Sequence, residues 1–298
     1  MDRDLLMALR LLQWPNGMLG DRPTYWQIAK RIDASPKMVK MKLDGLRKSG
    51  ILGGINLVPD VSIFGLQRTV LYISAGKDVI ENIWNGMSLL DTVMYLHRYG
   101  LTGDSLIIEI IHHDEAHLGN QIQLLLKAFG QFTIIGKEQV LNYGRYKPDS
   151  KDIDIIRMLI KNPIEKFSVI SASIGMRPGA IKNRIDKMAA ENAISIEPIF
   201  NSYGGVTPLL YIISIYGNDL QRKEAIERCM DILRDNYIAV KNGFQNSSLF
   251  LVTVESFQEI TEIYGKLKDM VRNIQLNLIH PFESKYCLPR VVGPLLKQ

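Results

Sequence analysis

Residues 26–52, WQIAKRIDASPKMVKMKLDGLRKSGIL, decide how the chain is read. Thr24 stands where a helix N-cap belongs, and Ile28 and Ile32 lie four residues apart on one face of the run TYWQIAKRI. After the break at Asp33-Ala34, Ser35 supplies a capping hydroxyl and Pro36 takes the first helical position, where its missing N–H costs nothing. The second run continues to about Ser49, and Gly50 stops it. This order predicts a helix-turn-helix. Val39, Leu43 and Leu46 fall in one stripe that must pack inward. The opposite face presents Lys37, Met41 and Lys48, flanked by Lys40, Lys42 and Arg47, with Asp44 as its only acid. A cationic helix of this kind suits the DNA major groove, with Lys and Arg on phosphates or guanine edges.

Upstream, the apolar spacing of residues 4–13 predicts a further helix, closed by Pro15-Asn16-Gly17. Downstream, ILGGINLVPD (residues 51–60) carries a Gly-Gly kink and reads as a pair of short strands, a wing. The same text then recurs. SVISASIGMRPGAIKNRIDKMAAENAI (residues 168–194) aligns with the opening stretch without a gap at an offset of 142, placing Pro36 on Pro178, Lys40 on Lys182, Lys42 on Arg184 and Asp44 on Asp186. Ile181, Ile185 and Met188 repeat the buried stripe. The exposed side of this copy offers Arg177, Lys182, Asn183, Arg184 and Lys187, of which Asn183 suits an adenine edge. It is weaker by charge, because Arg177 replaces the capping Ser35 and Ala189–Ala190 replace Arg47–Lys48.

Between the copies, TVLYIS, DVIENIWNGM, DTVMYLHRY, SLIIEIIHH, EAHLGNQIQLLLKAF and TIIGKEQVL alternate strand and helix character in the order βαββαβ. The tail of the chain repeats that order from LLYIISIY to IQLNLIHPF, with LYIS (71–74) matching LYII (210–213) and SLIIEI (105–110) matching SLFLVT (248–253). The expected class is therefore α+β: two winged helix-turn-helix domains (1–60 and 148–202) alternating with two ferredoxin-like βαββαβ domains (61–147 and 203–298, the last with a C-terminal tail).

Composition agrees with several ordinary folded units. At 298 residues, 46% hydrophobic and 22% charged, the chain exceeds one efficient core and is far from disordered compositions. The net charge of +5 is uneven: residues 1–60 hold ten bases and six acids, whereas 61–150 hold seven and nine. A basic block of this kind is the footprint of a partner carrying phosphates. No apolar run approaches a membrane span and the N-terminus lacks the pattern of a signal peptide, so a cytoplasmic protein is expected. Cys229 and Cys287 are too few for a disulfide framework or a zinc cluster. HHDEAH sets His113 and His117 four apart without the rest of a metalloprotease signature. With no phosphate loop, dinucleotide fingerprint or nucleophile motif either, no cofactor, no metal and no enzymatic activity are expected.

The helix-turn-helix with its Ser-Pro cap, SPKMVKMKLDGLRKSGILGG, followed by a strand linker and a βαββαβ unit with the turn LTGDSLIIEI, resembles the Lrp/AsnC (feast/famine) transcriptional regulators. The resemblance implies a sequence-selective double-stranded DNA-binding regulator whose recognition helices carry Ser35, Lys37, Lys40, Met41, Lys42, Arg47 and Lys48 and their second-copy counterparts. Two readers on one chain imply a covalently joined pseudo-dimer, and the outer surfaces could still form a homodimer. Family members bind small-molecule effectors around the glycine-acid turn, here Thr102, Gly103 and Asp104; the second copy has Gln245, Asn246 and Ser247 instead. Two other readings stay open: a ligand-binding or assembly module of the same fold, and a siroheme or haem-biosynthesis enzyme of the kind that resembles these regulators, for which His97-Arg98 is the candidate pair.

Overall fold

A computed structural model of the chain describes residues 10–13, 23–86, 90–99, 104–141, 146–201, 209–234, 236–241, 244–271, 273–278 and 282–286. Of the first expected helix only residues 10–13 lie within that set, and Thr102, Gly103 and Cys287 lie outside it.

The opening pair is α1 (Tyr25–Arg31) and α2 (Pro36–Lys48). The Thr24 and Ser35 hydroxyls accept the backbone N–H groups of Gln27 and Met38, as the sequence requires. Val39, Leu43 and Leu46 are buried against Leu11, Leu12, Ile28 and Ala29. The second copy gives α5 (Ser150–Lys161), α6 (Phe167–Ile174) and α7 (Pro178–Ala190), with Ile181, Ile185 and Met188 fully buried. Backbone geometry repeats more faithfully than residue type. Asp33 and Gly175, 142 apart, both take left-handed φ angles in the turn, and so do Gly50 and Asn192 after the second helix. Each position demands a residue that tolerates positive φ, which Gly, Asn and Asp do best.

The wing differs from expectation. Residues 52–59 form one strand, β1 (Leu52–Pro59), whose partner is not its neighbour but β6 (Ile194–Phe200) of the second copy, antiparallel. Gly53-Gly54 makes a register shift inside the strand rather than a hairpin turn. The two helix-turn pairs are thereby joined by a shared ribbon.

The first βαββαβ stretch contains β2 (Gln67–Ser74), α3 (Lys77–Gly86), β3 (Val93–Tyr99), β4 (Ser105–His112), α4 (Glu115–Phe129) and β5 (Thr133–Val140). The second contains β7 (Leu209–Tyr216), α8 (Asp219–Ile232), β8 (Tyr237–Lys241), β9 (Ser247–Val254), α9 (Phe257–Met270) and β10 (Ile274–Leu278), followed by β11 (Phe282–Tyr286). Among the described residues, one sheet has the order β11-β3-β4-β2-β5 and the other β10-β7-β9-β8. Leu71, Ile73, Leu106, Ile108 and Ile110 face α3 and α4, and Ile213, Ile215, Phe250, Val252 and Val254 form the equivalent core.

The pairing also corrects the alignment of the copies. Leu71 lies opposite Ile108 and Ile213 opposite Phe250, so both strands keep the offset of 142. Matching Ser105 to Ser248 or Leu71 to Leu210, as letters suggest, slips the register by an odd number of residues and turns the core face outward.

The halves interlock. β11, at the end of the second half, completes the first sheet beside β3. At the far edge, Val140 bridges Phe244, Gln245 N–H donates to the Gln139 carbonyl, and the Ser247 hydroxyl donates to Glu138 at 2.9 Å. The buried Arg10 guanidinium donates to the Tyr237 and Arg234 carbonyls and lies 4.0 Å from the Tyr237 ring. No helix among the described residues is long and apolar enough to cross a membrane.

Candidate functional site

Two regions carry chemistry: a polar layer on the first sheet and the exposed faces of α2 and α7. The layer follows from strand register, since residues opposite one another share a face. One row across the sheet reads Glu138, Val70, Glu109, Tyr95, and the next reads Gly136, Tyr72, Ile107, His97. These residues point away from α3 and α4, and Phe244 and Leu249 of the second half pack against the layer. Gly136 leaves room for the Tyr72 ring: a Cβ would lie 3.1 Å from it, closer than ordinary contact.

Within the layer, Glu109 is 4% exposed and lies 3.5 Å from the Arg68 guanidinium. Burial by itself lowers the Arg68 pKa, yet the opposing fields of Glu109, Glu197, Tyr95 and Asp60 carry it above its ordinary value. The Tyr95 hydroxyl donates to Glu197 of β6 at 3.3 Å, so the ribbon closes over this end. The His97 ring stacks on Tyr95 with centroids 5.6 Å apart and planes within 15°. Burial, and then the carboxylates of Glu138 and Glu109, push the Tyr72 hydroxyl well above the usual phenol range. Tyr99 is raised chiefly by burial, against a hydrogen bond with Ser105. Burial also raises Glu138, although Ser247 and Arg222 pull it down.

The second sheet has no matching layer. Its register puts Ile212, Leu251 and Ala239 where the first sheet has Val70, Glu109 and Tyr95, and Ser214, Leu249 and Lys241 where it has Tyr72, Ile107 and His97. Leu210 stands at the position of Arg68. The carboxylates, phenols and imidazole of this layer therefore belong to the first sheet. His97 was singled out from sequence, but Arg68, Tyr72, Tyr95 and Glu109 were not. The available signal was polar residues at alternate positions inside otherwise apolar strands, such as Glu109 in SLIIEIIH.

The expected DNA-facing residues divide by copy. On α2, Ser35, Lys37, Lys40, Met41, Arg47 and Lys48 are exposed, Met41 by 65%, and Lys42 is half-buried. Arg47 pairs with Asp44 at 3.2 Å within the same helix. On α7, Arg177, Asn183 and Lys187 are exposed, while Lys182 pairs with Asp186 at 2.5 Å. Arg184 donates to Asp149 at 2.8 Å and Asp152 at 2.7 Å, and Lys187 sits 5.6 Å from the Tyr146 ring centroid. Of the effector turn, Asp104 is described: its carbonyl accepts Ala75 N–H and its carboxylate accepts the Ser105 hydroxyl. The matching turn of the second half is docked on β5 through Gln245.

His113 and His117 stack with centroids 5.3 Å apart, and among the described residues no group of three or more candidate ligands could hold a metal ion. His112 is fully buried. Its Nδ1–H donates to the Asp114 carbonyl, which leaves Nε2 to accept the Thr69 hydroxyl at 2.8 Å. Burial lowers its pKa from the ordinary 6.5, against the pull of the Asp114 carbonyl. The folded state thus favours neutral His112, so its contribution is complete above about pH 6.5 and declines as acid protonates the unfolded chain first. We expect the urea midpoint of His112→Gln to fall less than that of the parent between about pH 7 and pH 5.5. Parallel declines in the two proteins would remove His112 as the cause.

No family model matches the chain, and no curated protein matches it in sequence. Solved structures do. The crystal structure of the siroheme decarboxylase NirDL covers 99% of this chain and 97% of its own at 10% identity, with a TM-score of 0.50. Its fold is Lrp/AsnC-like, and so is this one. A transcriptional regulator from Neisseria meningitidis, in complex with L-Met, covers 49% of this chain and 93% of its own at 19% identity, with a TM-score of 0.33. A regulatory protein of the AsnC family from Pyrococcus furiosus covers 44% and 88% at 18% identity, with a TM-score of 0.25. The expectation of a non-enzymatic protein is corrected by the first of these: the structure matched end to end is an enzyme.

Proposed function

We propose that the chain is an enzyme that decarboxylates a carboxylated tetrapyrrole. Its two winged helix-turn-helix units (1–60 and 148–202) would frame two ferredoxin-like units (61–147 and 203–298) derived from one duplicated ancestor. The observation that carries this reading is the layer of Arg68, Tyr72, Tyr95, His97 and Glu109, kept in one half and replaced largely by aliphatic and small residues in the other. The end-to-end likeness to a siroheme decarboxylase supports it.

The chemistry asks little of a protein. Breaking the C–C bond of R–CH2–COO⁻ releases CO2 and leaves its electron pair on the methylene carbon, drained into the conjugated macrocycle. A proton then closes the bond as R–CH3. His97 is the group we assign as proton donor, held flat by Tyr95. Tyr72, Tyr99 and Leu249 pack with Phe244, Val70 and Ile107 beside this layer and give it an apolar, poorly solvated flank. Incubating the purified chain with siroheme under anaerobic conditions should yield products lighter by one CO2 per carboxylate lost, read by mass spectrometry. Unchanged siroheme, under conditions where it binds, would end this reading.

A second reading is favoured by the solvent-facing cations Lys37, Lys40 and Lys48 of α2: binding of double-stranded DNA.

A further inference from the structure

We infer that the two helix-turn pairs have divided their work: the first keeps a surface for a polyanionic duplex, and the second has become an internal brace for the ionisable sheet. The inference rests on the duplex reading, and the test below separates the two.

The copies share backbone geometry but not the state of their cations. Residues 23–50 hold seven Lys and Arg against two acids, whereas the matching 165–192 hold five against three. On α2 the lysines at 37, 40 and 48 are exposed, as are Met38 (43%) and Met41 (65%) on the same helix and Trp26 (63%) on α1. Exposed cations beside exposed apolar side chains fit a duplex, whose phosphates take the charge and whose groove edges accept apolar contact. The surface on α2 and the sheet with His97 are different parts of the molecule, so occupancy of one does not presuppose the other.

On α7 the most buried of the corresponding cations, Arg184, is turned to the chain's own use, while Arg177 and Lys187 stay exposed. Arg184 is held by two carboxylates, one of them the 2% exposed Asp152, and their hydrogen bonds raise its pKa. The Tyr146 hydroxyl donates to that same Asp152 at 2.8 Å, while Lys187 lies over the Tyr146 ring. A guanidinium committed this way would have to leave a buried carboxylate to reach a phosphate. What α7 does instead is visible in its packing. Ile181, Ile185 and Met188 share one core with Met94, Tyr95 and Ile111 of the first sheet. The strand that follows α7, β6, carries Glu197 to the Tyr95 hydroxyl.

The experiment compares three full-length proteins by fluorescence anisotropy with a labelled random-sequence DNA duplex across a salt series. They are the parent, K37A/K40A/K48A, and R177A/K182A/K187A, with Arg184 left intact to protect folding. Each lysine that neutralises a phosphate adds about one unit to the slope of log K against log salt. We expect the first triple variant to flatten the parent slope by roughly three units and the second to change it by less than about one. If the parent shows no salt-dependent binding, the duplex reading fails and the inference with it. If the parent binds and the two triple variants lose equal slope, duplex binding stands and the division of work is overturned.

Discussion

His97→Ala should reduce tetrapyrrole decarboxylation by about 10²- to 10⁴-fold, the range spanned by removal of a positioned proton donor. The argument is one of placement. His97 lies in the strand row with Tyr72 and Ile107, its ring parallel to Tyr95, on the face that receives Phe244 and Leu249 from the other half. Substrate binding, followed by the macrocycle's visible absorption, should change much less than turnover, because the rest of the layer remains. His97→Gln keeps size and polarity but cannot deliver a proton as an imidazolium does, so it should resemble His97→Ala. Lys241→Ala supplies the control, since residue 241 holds the matching register position in the second sheet. If Lys241→Ala and His97→Ala lowered turnover equally, the assignment of one reaction centre to the first sheet would be wrong.

The reason for testing these two positions against each other is a property of strand register that letters alone do not reveal. The cap Ser35-Pro36, the buried stripe Val39-Leu43-Leu46 and the order of strands and helices are local, written within a few turns of chain, and the sequence predicts them correctly. The partner of β1 is not local. Its Gly53-Gly54 reads as a turn until a second strand, more than 130 residues away, is found beside it. The same holds for the first sheet's face. SLIIEI and SLFLVT look alike, but pairing sets Glu109 against Leu251 rather than Val252, and only then does the loss of charge in the second half appear. The partners of the α7 cations are hidden from the sequence for a related reason. Arg184 and Lys182 read as solvent-facing cations because their partners Asp149, Asp152 and Asp186 lie on another helix or one turn away. Charge counted along a helix does not say which charges are already answered.

Asp152→Ala should destabilise the fold by about 3 kcal/mol, near the low end for removing one partner of a buried ion pair. Asp152 is 2% exposed and accepts three donors: the Tyr146 hydroxyl, the Arg184 guanidinium at 2.7 Å and Asp149 N–H at 3.0 Å. The last closes a capping box, because the Asp149 carboxylate in turn accepts Asp152 N–H. Alanine leaves the phenol and the amide without that acceptor. Arg184 keeps Asp149, and its side chain is 31% exposed, so water recovers part of its loss and holds the cost below the upper end of the range. Asp152→Asn preserves an acceptor while removing the charge, and should cost about half as much. The measurement is the denaturant midpoint of each variant. Amide exchange adds location: protection should fall first along α5 and α7, before β2 and β4. Midpoints for Asp152→Ala and Asp152→Asn that both equal the parent's would mean that the apolar stripe of Ile181, Ile185 and Met188 alone fixes α7, and that the polar network steers the cations without holding the helix.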